Sequence, residues 1–395
     1  MMRRAWLILL GLGGLLVLGL GGLNPTFAKK DNSLPPDLKT KIGQMLMVGF
    51  QGGNIGADTA IVRAVRDWNL GGVLLLNYGG ADGSSNIQSP QQLKSLIDSL
   101  QNLAVEPLFV AVDQEGGRIS RLKPANGFPS LLSAADLGKK DDVELTARQA
   151  QICAAMLAAA GINLNFAPVV DLNLNPSNPV IGRLDRSYSP DPEKVVRHAG
   201  KIIEVHREYG VLCSLKHFPG HGSAGADSHL GFVDVTQIWQ RQELVPFTRL
   251  IEARQADIIM TAHIFNARLD KNNPATLSRD TLTGLLRRQL NFQGVIISDD
   301  LMMGAIGKNY SYEDSLAKAI NAGVDILLVS GGPKNLVPHT VETIQRMVVE
   351  GRIEVSRIEE SSARIRALKQ RLGEMRVEAL RKVDAKAGRE PDCYL

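Results

Sequence analysis

Short apolar runs rich in valine, isoleucine and leucine alternate with helical patterns between residues 43 and 350. This alternation is typical of parallel strands joined by crossover helices, because each parallel strand needs a long connection from the far end of the strand before it. We predict strands at residues 43–49, 72–76, 108–112, 163–167, 211–215, 257–261, 294–298 and 325–329. We predict helices at residues 142–160, 192–209, 279–290 and 335–350, among others. Eight such strands predict an α/β fold, a (β/α)8 barrel of the TIM type.

Length and composition fit one barrel of this kind. The 395 residues could hold two or three average domains, but a single α/β barrel often exceeds about 250 residues. No long linker or internal repeat divides residues 29–375, which we assign to one catalytic domain. Residues 356–385 are rich in arginine, glutamate, alanine and leucine and predict a solvated helix or helix pair. We assign residues 376–395 to a charged C-terminal tail.

The first 28 residues have the pattern of a secretory signal peptide. Arg3 and Arg4 precede an uncharged Leu/Gly-rich run at residues 5–23, and Thr26 and Ala28 are the small residues before the expected cleavage point. We therefore predict removal of residues 1–28 and export to the periplasm, the cell wall or the medium. The alternative is that the run is retained as an anchor, in which case the membrane is also a partner.

Charge and cysteine content argue against two classes of protein. The formal net charge of the chain is +4, and residues 1–28 contribute two positive charges, so the mature chain carries +2. This weak balance argues against a nucleic-acid partner. Cys153, Cys213 and Cys393 lack the repeated spacing of a disulfide framework or a metal knuckle, and we interpret the first two as small buried residues.

Polar residues concentrate directly after three of the predicted strands, at residues 113–121, 216–222 and 299–301. In a (β/α)8 barrel these positions surround the mouth where reactive groups lie. Hydrogen-bond donors and acceptors for a polyhydroxylated ring are available from Asp113, Arg121, Lys216 and His217, and from Arg186 after the fourth strand.

Asp299 ends an apolar strand, which would deliver its carboxylate to the barrel mouth on a rigid element. A fixed carboxylate there suits covalent attack at an anomeric carbon, as in retaining glycosidases. Asp300 would point away and serve a structural role. The alternative for Asp299 is a helix N-cap, which also requires a carboxylate at this position.

Asp227 and His229 form a second candidate pair, in a glycine-rich loop after the fifth strand that we expect to be mobile. Two residues apart, they can hydrogen bond directly or around a turn. A carboxylate beside an imidazole favours its protonated form and orients the ring, so His229 is a candidate general acid. The alternative is an ordinary surface histidine.

Together these segments resemble glycoside hydrolase family 3, in particular its β-N-acetylglucosaminidase branch. The resemblance covers roughly residues 40–370 and rests on motifs at residues 113–118, 216–222, 227–229 and 298–301, in the family's order. The Asp-x-His element separates this branch from most β-glucosidases of the family, which take a carboxylate acid/base from a second domain. Two departures are extra residues between Gly182 and Arg186, and Ser223-Ala224 in place of Asp-Thr.

The resemblance implies that Asp299 is the nucleophile and His229 the acid/base, with Asp227 as its partner. It also implies that the sugar in the −1 subsite is held by Asp113, Arg121, Arg186, Lys216 and His217. The implied reaction is retaining, exo-acting removal of non-reducing terminal N-acetylglucosamine through a covalent glycosyl–Asp299 intermediate, with no metal or organic cofactor. The expected partner is an N-acetylglucosamine-containing glycan, with peptidoglycan fragments as its source.

Other functions remain open from the sequence. Within the family, the chain could be a β-glucosidase, a β-xylosidase or a glycoside phosphorylase. A metal-dependent hydrolase could use His217, His221, Asp227 and His229, a set that resembles a zinc site. A catalytically inactive wall-binding module would bind sugar without turnover.

Overall fold

Parallel strands form a ring at the centre of the structure, a computed structural model that describes residues 34–56, 59–77 and 85–387. The strands are β1 Leu46–Gly49, β2 Gly72–Leu74, β3 Phe109–Val112, β4 Gln114–Gly116, β5 Ile119–Ser120, β6 Leu164–Asn165, β7 Leu212–Phe218, β8 Ile258–Thr261, β9 Val295–Ile297 and β10 Leu327–Ser330. Eight of them pair in the order β10-β1-β2-β3-β6-β7-β8-β9, while β4 and β5 form a separate hairpin. The predicted leader, residues 1–28, lies outside the described residues.

A parallel bridge between Ile297 and Ile326 closes the ring, since it joins β9 to the residue before β10. The N–H of Ser298 donates to the carbonyl of Ile326 at 2.9 Å, and the N–H of Leu301 donates to the carbonyl of Leu328 at 3.0 Å. The predicted (β/α)8 barrel is therefore confirmed.

Helices connect the strands and cover the barrel. They are α1 Leu38–Gln44, α2 Ala60–Trp68, α3 Pro90–Leu103, α4 Ala134–Lys140, α5 Val143–Ala160, α6 Pro192–Glu208, α7 Val245–Glu252, α8 Gly304–Gly307, α9 Tyr312–Ala322, α10 Leu336–Val349 and α11 Val355–Ala387. The helix predicted at residues 279–290 is a π-helix over Asp280–Gln289, and Ser278 accepts the N–H of Thr281 at its start. Across the described parts of the chain, every helix is too short or too polar to span a bilayer.

The strand residues have no solvated face, which explains their continuous apolar runs. Val295, Ile296 and Ile297 of β9 are at most 1% exposed, because side chains fill the barrel interior and helices cover its outside. Cys153 and Cys213 are buried free thiols, as predicted. Burial raises the pKa of the Cys153 thiol to about 12.

Seven of the eight predicted strands are shorter in the structure, and the first and the fourth differ most. The first begins at Leu46 rather than residue 43, and the fourth is confined to residues 164–165 rather than 163–167. Gly43 belongs to α1, where an added Cβ would lie 1.9 Å from the carbonyl oxygen of Trp68. The apolar pattern continues from the helix into the strand, so it does not mark the boundary between them.

The fifth barrel strand, β7, is longer than predicted. It extends to Phe218 rather than ending at residue 215, so Lys216 and His217 lie within the strand and not in the loop after it. Its register against β8 shifts between Leu215 and Phe218. The charged Lys216 interrupts the apolar pattern in sequence, whereas carboxylates from distant segments compensate its burial in the structure.

The C-terminal helix is less solvated than predicted for residues 356–385. Helix α11 continues unbroken through residue 375, where the tail was predicted to begin, and it buries Ile358, Ile365 and Leu372 at seven-residue intervals. Arg357 reaches the buried carboxylate of Asp325 at 2.7 Å. Because Asp325 precedes β10, α11 packs at the amino ends of the strands, opposite the barrel mouth.

Candidate active site

A cavity of about 460 Å³ opens among the carboxyl ends of the strands. All eight candidate residues line it: Asp113, Arg121, Arg186, Lys216, His217, Asp227, His229 and Asp299. A larger cavity, of about 760 Å³, lies beside β1 and α10, but its described lining residues include neither a carboxylate nor a histidine. The smaller cavity is therefore the one equipped for acid–base and nucleophilic chemistry.

Asp299 directly follows β9 and the buried Ser298. Its N–H donates to Thr261 Oγ1 at 3.3 Å, and its Oδ1 accepts the N–H of Asp300 at 2.8 Å. Burial by itself would raise the pKa of Asp299, but the nearby His263 and His217 and the Asp300 N–H hold that pKa below its ordinary value. The side chain is therefore an ionised carboxylate on a rigid support.

The structure excludes the helix-cap alternative for Asp299. The next helix, α8, begins at Gly304 and has Met303 at its N-cap position. Asp300, by contrast, has the expected structural role, because its Oδ1 accepts the N–H groups of Met302 and Ser330, each at 3.0 Å. It does not point away as predicted, since it also lines the cavity. Burial raises the pKa of Asp300.

Asp227 and His229 form the predicted hydrogen-bonded pair. Asp227 Oδ1 lies 2.8 Å from His229 Nδ1 and also accepts the backbone N–H of His229 at 2.8 Å. The side chain of His229 is 60% exposed and that of Asp227 26% exposed. Because Nδ1 is engaged by Asp227, Nε2 is the ring nitrogen available to a substrate.

A network of buried charges covers one side of the cavity. Lys216 Nζ lies 2.7 Å from Asp113 Oδ1 and 2.7 Å from Glu115 Oε1. Arg186 donates to both oxygens of Glu115, at 2.8 and 2.7 Å. Arg121 lies farther out, with Nη2 3.6 Å from Asp113 Oδ2. The two cations and Asp113 are thus held in fixed positions at the cavity wall.

Glu115 was not among the predicted site residues, although it lies within the polar segment after β3. Burial alone would raise the pKa of Glu115, but Arg186 and Lys216 lower it to about 2. Glu115 is therefore an anion that aligns the two cations, and it is only 5% exposed. Its bidentate pairing could not be read from a single strand-end motif, because Arg186 is 71 residues away in sequence.

Glu115→Gln is expected to destabilise the fold at pH 7, because Arg186 and Lys216 lose a shared carboxylate. Breaking a buried ion pair costs on the order of 3–5 kcal/mol. The folded-state pKa of about 2 lies below the ordinary 4.5, so this stability is present above pH 4.5 and is lost as the pH falls toward 2. Between pH 7 and pH 3, the free energy of unfolding measured with urea should fall more for the wild type than for the variant. An equal fall in both proteins would contradict the assigned ion pairing of Glu115.

His217 is oriented by a second carboxylate that the sequence analysis missed. Its Nδ1 lies 2.6 Å from Asp171 Oδ2, and Asp171 Oδ1 accepts the N–H of His221 at 2.7 Å. Burial would raise the pKa of Asp171, but His217 and His221 hold that pKa below its ordinary value. Asp171 follows a short strand without a neighbouring acidic motif, so only its apolar surroundings in sequence could have indicated a buried carboxylate.

His221 is not part of the cavity wall. Burial lowers its pKa to about 4, so the ring is neutral near pH 7. Among the described residues, no group of three or more histidine, cysteine, aspartate or glutamate side chains is arranged to hold a metal ion. In the described structure, the residues of the metal-hydrolase alternative are therefore not arranged as a ligand cluster.

The loop between Pro219 and His229 is tethered in its first half. Glu243 Oε2 accepts the N–H of Gly222 at 3.0 Å, and Glu243 Oε1 accepts the hydroxyl of Ser223 at 2.7 Å. A Cβ at Gly222 would lie 1.7 Å from the carbonyl oxygen of Leu172. The serine that replaces the family's more usual aspartate is thus used to fix the loop, and mobility of the second half stays a prediction.

Comparison with known proteins establishes the class of protein that this fold and site define. Residues 37–368 match the family described as glycosyl hydrolase family 3, N terminal domain. The chain belongs to this family and is a glycoside hydrolase.

Relatives and solved structures refine this class. A β-hexosaminidase from Tolumonas auensis is 39% identical over 288 residues, which cover 72% of this chain and 81% of that protein. β-Hexosaminidase A from Pseudoalteromonas piscicida is 37% identical over 284 residues, covering 66% of this chain but only 46% of that longer protein. A family 3 β-N-acetylglucosaminidase from Paenibacillus superposes with a TM-score of 0.79 at 35% identity, covering 88% of this chain and 68% of that structure. The predicted resemblance to the β-N-acetylglucosaminidase branch is confirmed.

Proposed function

We propose that the enzyme is a retaining, exo-acting β-N-acetylglucosaminidase that removes a non-reducing terminal N-acetylglucosamine. The observation that carries this proposal is the Asp227–His229 pair facing the same cavity as the ionised Asp299. The similarity to a β-hexosaminidase and to a β-N-acetylglucosaminidase structure further supports hexosaminidase activity. A cavity accommodates one end of a glycan, whereas an open groove accommodates the middle of the chain. The shape of the site therefore supports exo action.

The proposed reaction is a double displacement. Asp299 attacks the anomeric carbon and forms the glycosyl–enzyme bond, while His229 gives a proton to the leaving oxygen. His229 then takes a proton from water, the water oxygen bonds to the anomeric carbon, and the Asp299 carboxylate leaves. Asp227 holds the imidazole in place through the 2.8 Å contact with Nδ1.

The charged wall is proposed to bind the sugar of the −1 subsite. Asp113 accepts from sugar hydroxyls, whereas Lys216, Arg121 and Arg186 donate to them, as does His217 when Nε2 carries a proton. Glu115 already aligns Lys216 and Arg186. Asp171 aligns His217, and Lys216 holds Asp113. The sugar ring therefore binds side chains that are already in position, so binding costs little conformational entropy.

We further propose peptidoglycan fragments as the natural substrate and a place outside the cytoplasm for the enzyme. The support for both is the signal-like pattern of residues 1–28, which would bring the enzyme to the cell wall. Retention of this segment as an anchor would keep the enzyme at the membrane. Edman or mass-spectrometric analysis of the exported chain distinguishes a new terminus after Ala28 from an intact leader.

The direct test of substrate class is nitrophenol release from three p-nitrophenyl β-glycosides. The kcat/KM for the N-acetylglucosaminide is expected to be at least about 100-fold higher than for the glucoside or the xyloside. The last two have no acetamido group, so they cannot form the hydrogen bonds that this group makes with the enzyme. Proton NMR of early product should show the β-anomer, and added phosphate should not accelerate the reaction. Preferred cleavage of the glucoside, or a rate that rises with phosphate, would replace this proposal by one of the other family activities.

A further inference from the structure

The loop that carries His229 is hydrogen bonded to the segment that follows Asp299. The N–H of Ala305 donates to the carbonyl of Ser228 at 3.1 Å, and the N–H of Gly304 donates to the carbonyl of His229 at 3.1 Å. Lys308 Nζ donates to the carbonyl of Leu230 at 3.0 Å. Residues 304–308, here called the latch, therefore hold three consecutive carbonyl groups of the loop.

Gly304 permits this contact because the two backbones approach closely. A Cβ at residue 304 would lie 2.7 Å from the carbonyl oxygen of His229 and 2.9 Å from the carbonyl carbon of Leu230. Both are backbone atoms, so they cannot turn aside as the end of a flexible side chain can. Any other residue at this position must push the loop away from the start of α8.

The latch is itself anchored to the barrel. Asp300, next to Asp299, accepts the backbone N–H groups of Met302 and Ser330, and Ser330 is the last residue of β10. His229, in contrast, has a mostly exposed side chain and depends on Asp227 and on its own backbone for position. Backbone hydrogen bonds therefore connect the barrel to the loop that carries the exposed imidazole, and they fix where this loop lies.

We propose that Gly304 and Lys308 are positioning residues that set the distance between the His229 imidazole and the leaving oxygen above Asp299. This inference rests on the proposed role of His229 as the acid/base. Asp299 and the latch belong to one continuous segment, so the latch fixes the proton donor relative to the nucleophile. A general acid contributes only when it lies within hydrogen-bond reach of the oxygen that it protonates.

The test is the dependence of kcat/KM on the leaving group. For a 2,4-dinitrophenyl glycoside the departing phenolate needs no proton, whereas the alkoxide leaving from N,N′-diacetylchitobiose needs one. Gly304→Ala is expected to lower kcat/KM for chitobiose by on the order of 100-fold, as a displacement of about 1 Å can. Its kcat/KM for the dinitrophenyl glycoside should change by less than about threefold.

Lys308→Met should show the same pattern with a smaller loss, about fivefold for chitobiose, because one of three contacts is removed. Lys308→Arg should restore most of the loss, since it keeps a cationic donor. Matched controls are Lys318→Met, which removes another exposed lysine contact, and Gly373→Ala, where no atom lies within 4 Å of the added Cβ. In neither control should the kcat/KM values for the two substrates change by different factors.

The positioning role would be overturned if Gly304→Ala and Lys308→Met lowered kcat/KM equally for both substrates at unchanged thermal stability. His229→Ala, measured in parallel, separates this failure from a failure of the proposed function. If His229→Ala shows the leaving-group dependence and the latch variants do not, only the latch inference is wrong. If His229→Ala shows no such dependence, the acid/base assignment is overturned and the positioning role with it.

Discussion

Asp299→Ala is expected to lower kcat/KM for p-nitrophenyl N-acetyl-β-glucosaminide by on the order of 10⁴-fold or more, because no covalent intermediate can form. The fold should persist. In the described structure the Asp299 carboxylate accepts one local hydrogen bond, from the N–H of Asp300, whereas Asp300 carries the contacts that fix the segment. Thermal unfolding of the variant should therefore stay close to that of the wild type.

Added azide gives this variant a second readout. With the carboxylate gone, azide can attack the anomeric carbon of the dinitrophenyl glycoside from the vacated side, while dinitrophenolate departs. The product should be the α-glycosyl azide, opposite in configuration to the normal product, and NMR identifies it. Substantial hydrolysis by Asp299→Ala without azide, or a β-configured azide, would show that another group is the nucleophile.

His229→Ala is expected to lower kcat/KM for chitobiose by on the order of 10²- to 10⁴-fold, the usual contribution of a general acid. The dinitrophenyl glycoside should still transfer its sugar to Asp299, because its leaving group needs no proton. The second step lacks its base, so the glycosyl–enzyme should accumulate after a burst of dinitrophenolate. Mass spectrometry of acid-quenched protein should find one N-acetylglucosaminyl group on the peptide that contains Asp299.

Two further outcomes of this experiment carry information. Asp227→Ala should act in the same direction with a smaller loss, since the imidazole remains but loses the partner that fixes its Nδ1. A burst without a label on the Asp299 peptide would contradict the nucleophile. A uniform loss on both substrates, without a burst, would contradict the acid/base role of His229.

Several features of the site depend on local sequence and could be predicted from it. Asp227 and His229 are two residues apart, so their hydrogen bond needs only a turn. Asp299 follows a strand in the ordinary geometry of a parallel barrel, which sends residues after strands to the mouth. The apolar runs likewise predicted the existence and order of the strands, because buried parallel strands leave a continuous pattern in sequence.

Other features required the tertiary structure. The extension of β7 through Lys216 depends on Asp113, which is 103 residues away, and the alignment of Arg186 depends on Glu115. The contact of Gly304 with the carbonyl of His229 likewise joins the start of α8 to a loop, and no sequence period relates the two.

The sequence by itself therefore determined the barrel, the order of its strands and the identity of the groups at its mouth. These follow from hydrophobic periodicity and from side chains placed at strand ends, both of which act over a few residues. Tertiary structure alone decided which carboxylate pairs with which cation, where β7 ends and which face of α11 is buried. The physical reason is that ion pairs, close backbone contacts and burial depend on distances through space, which a local pattern does not contain.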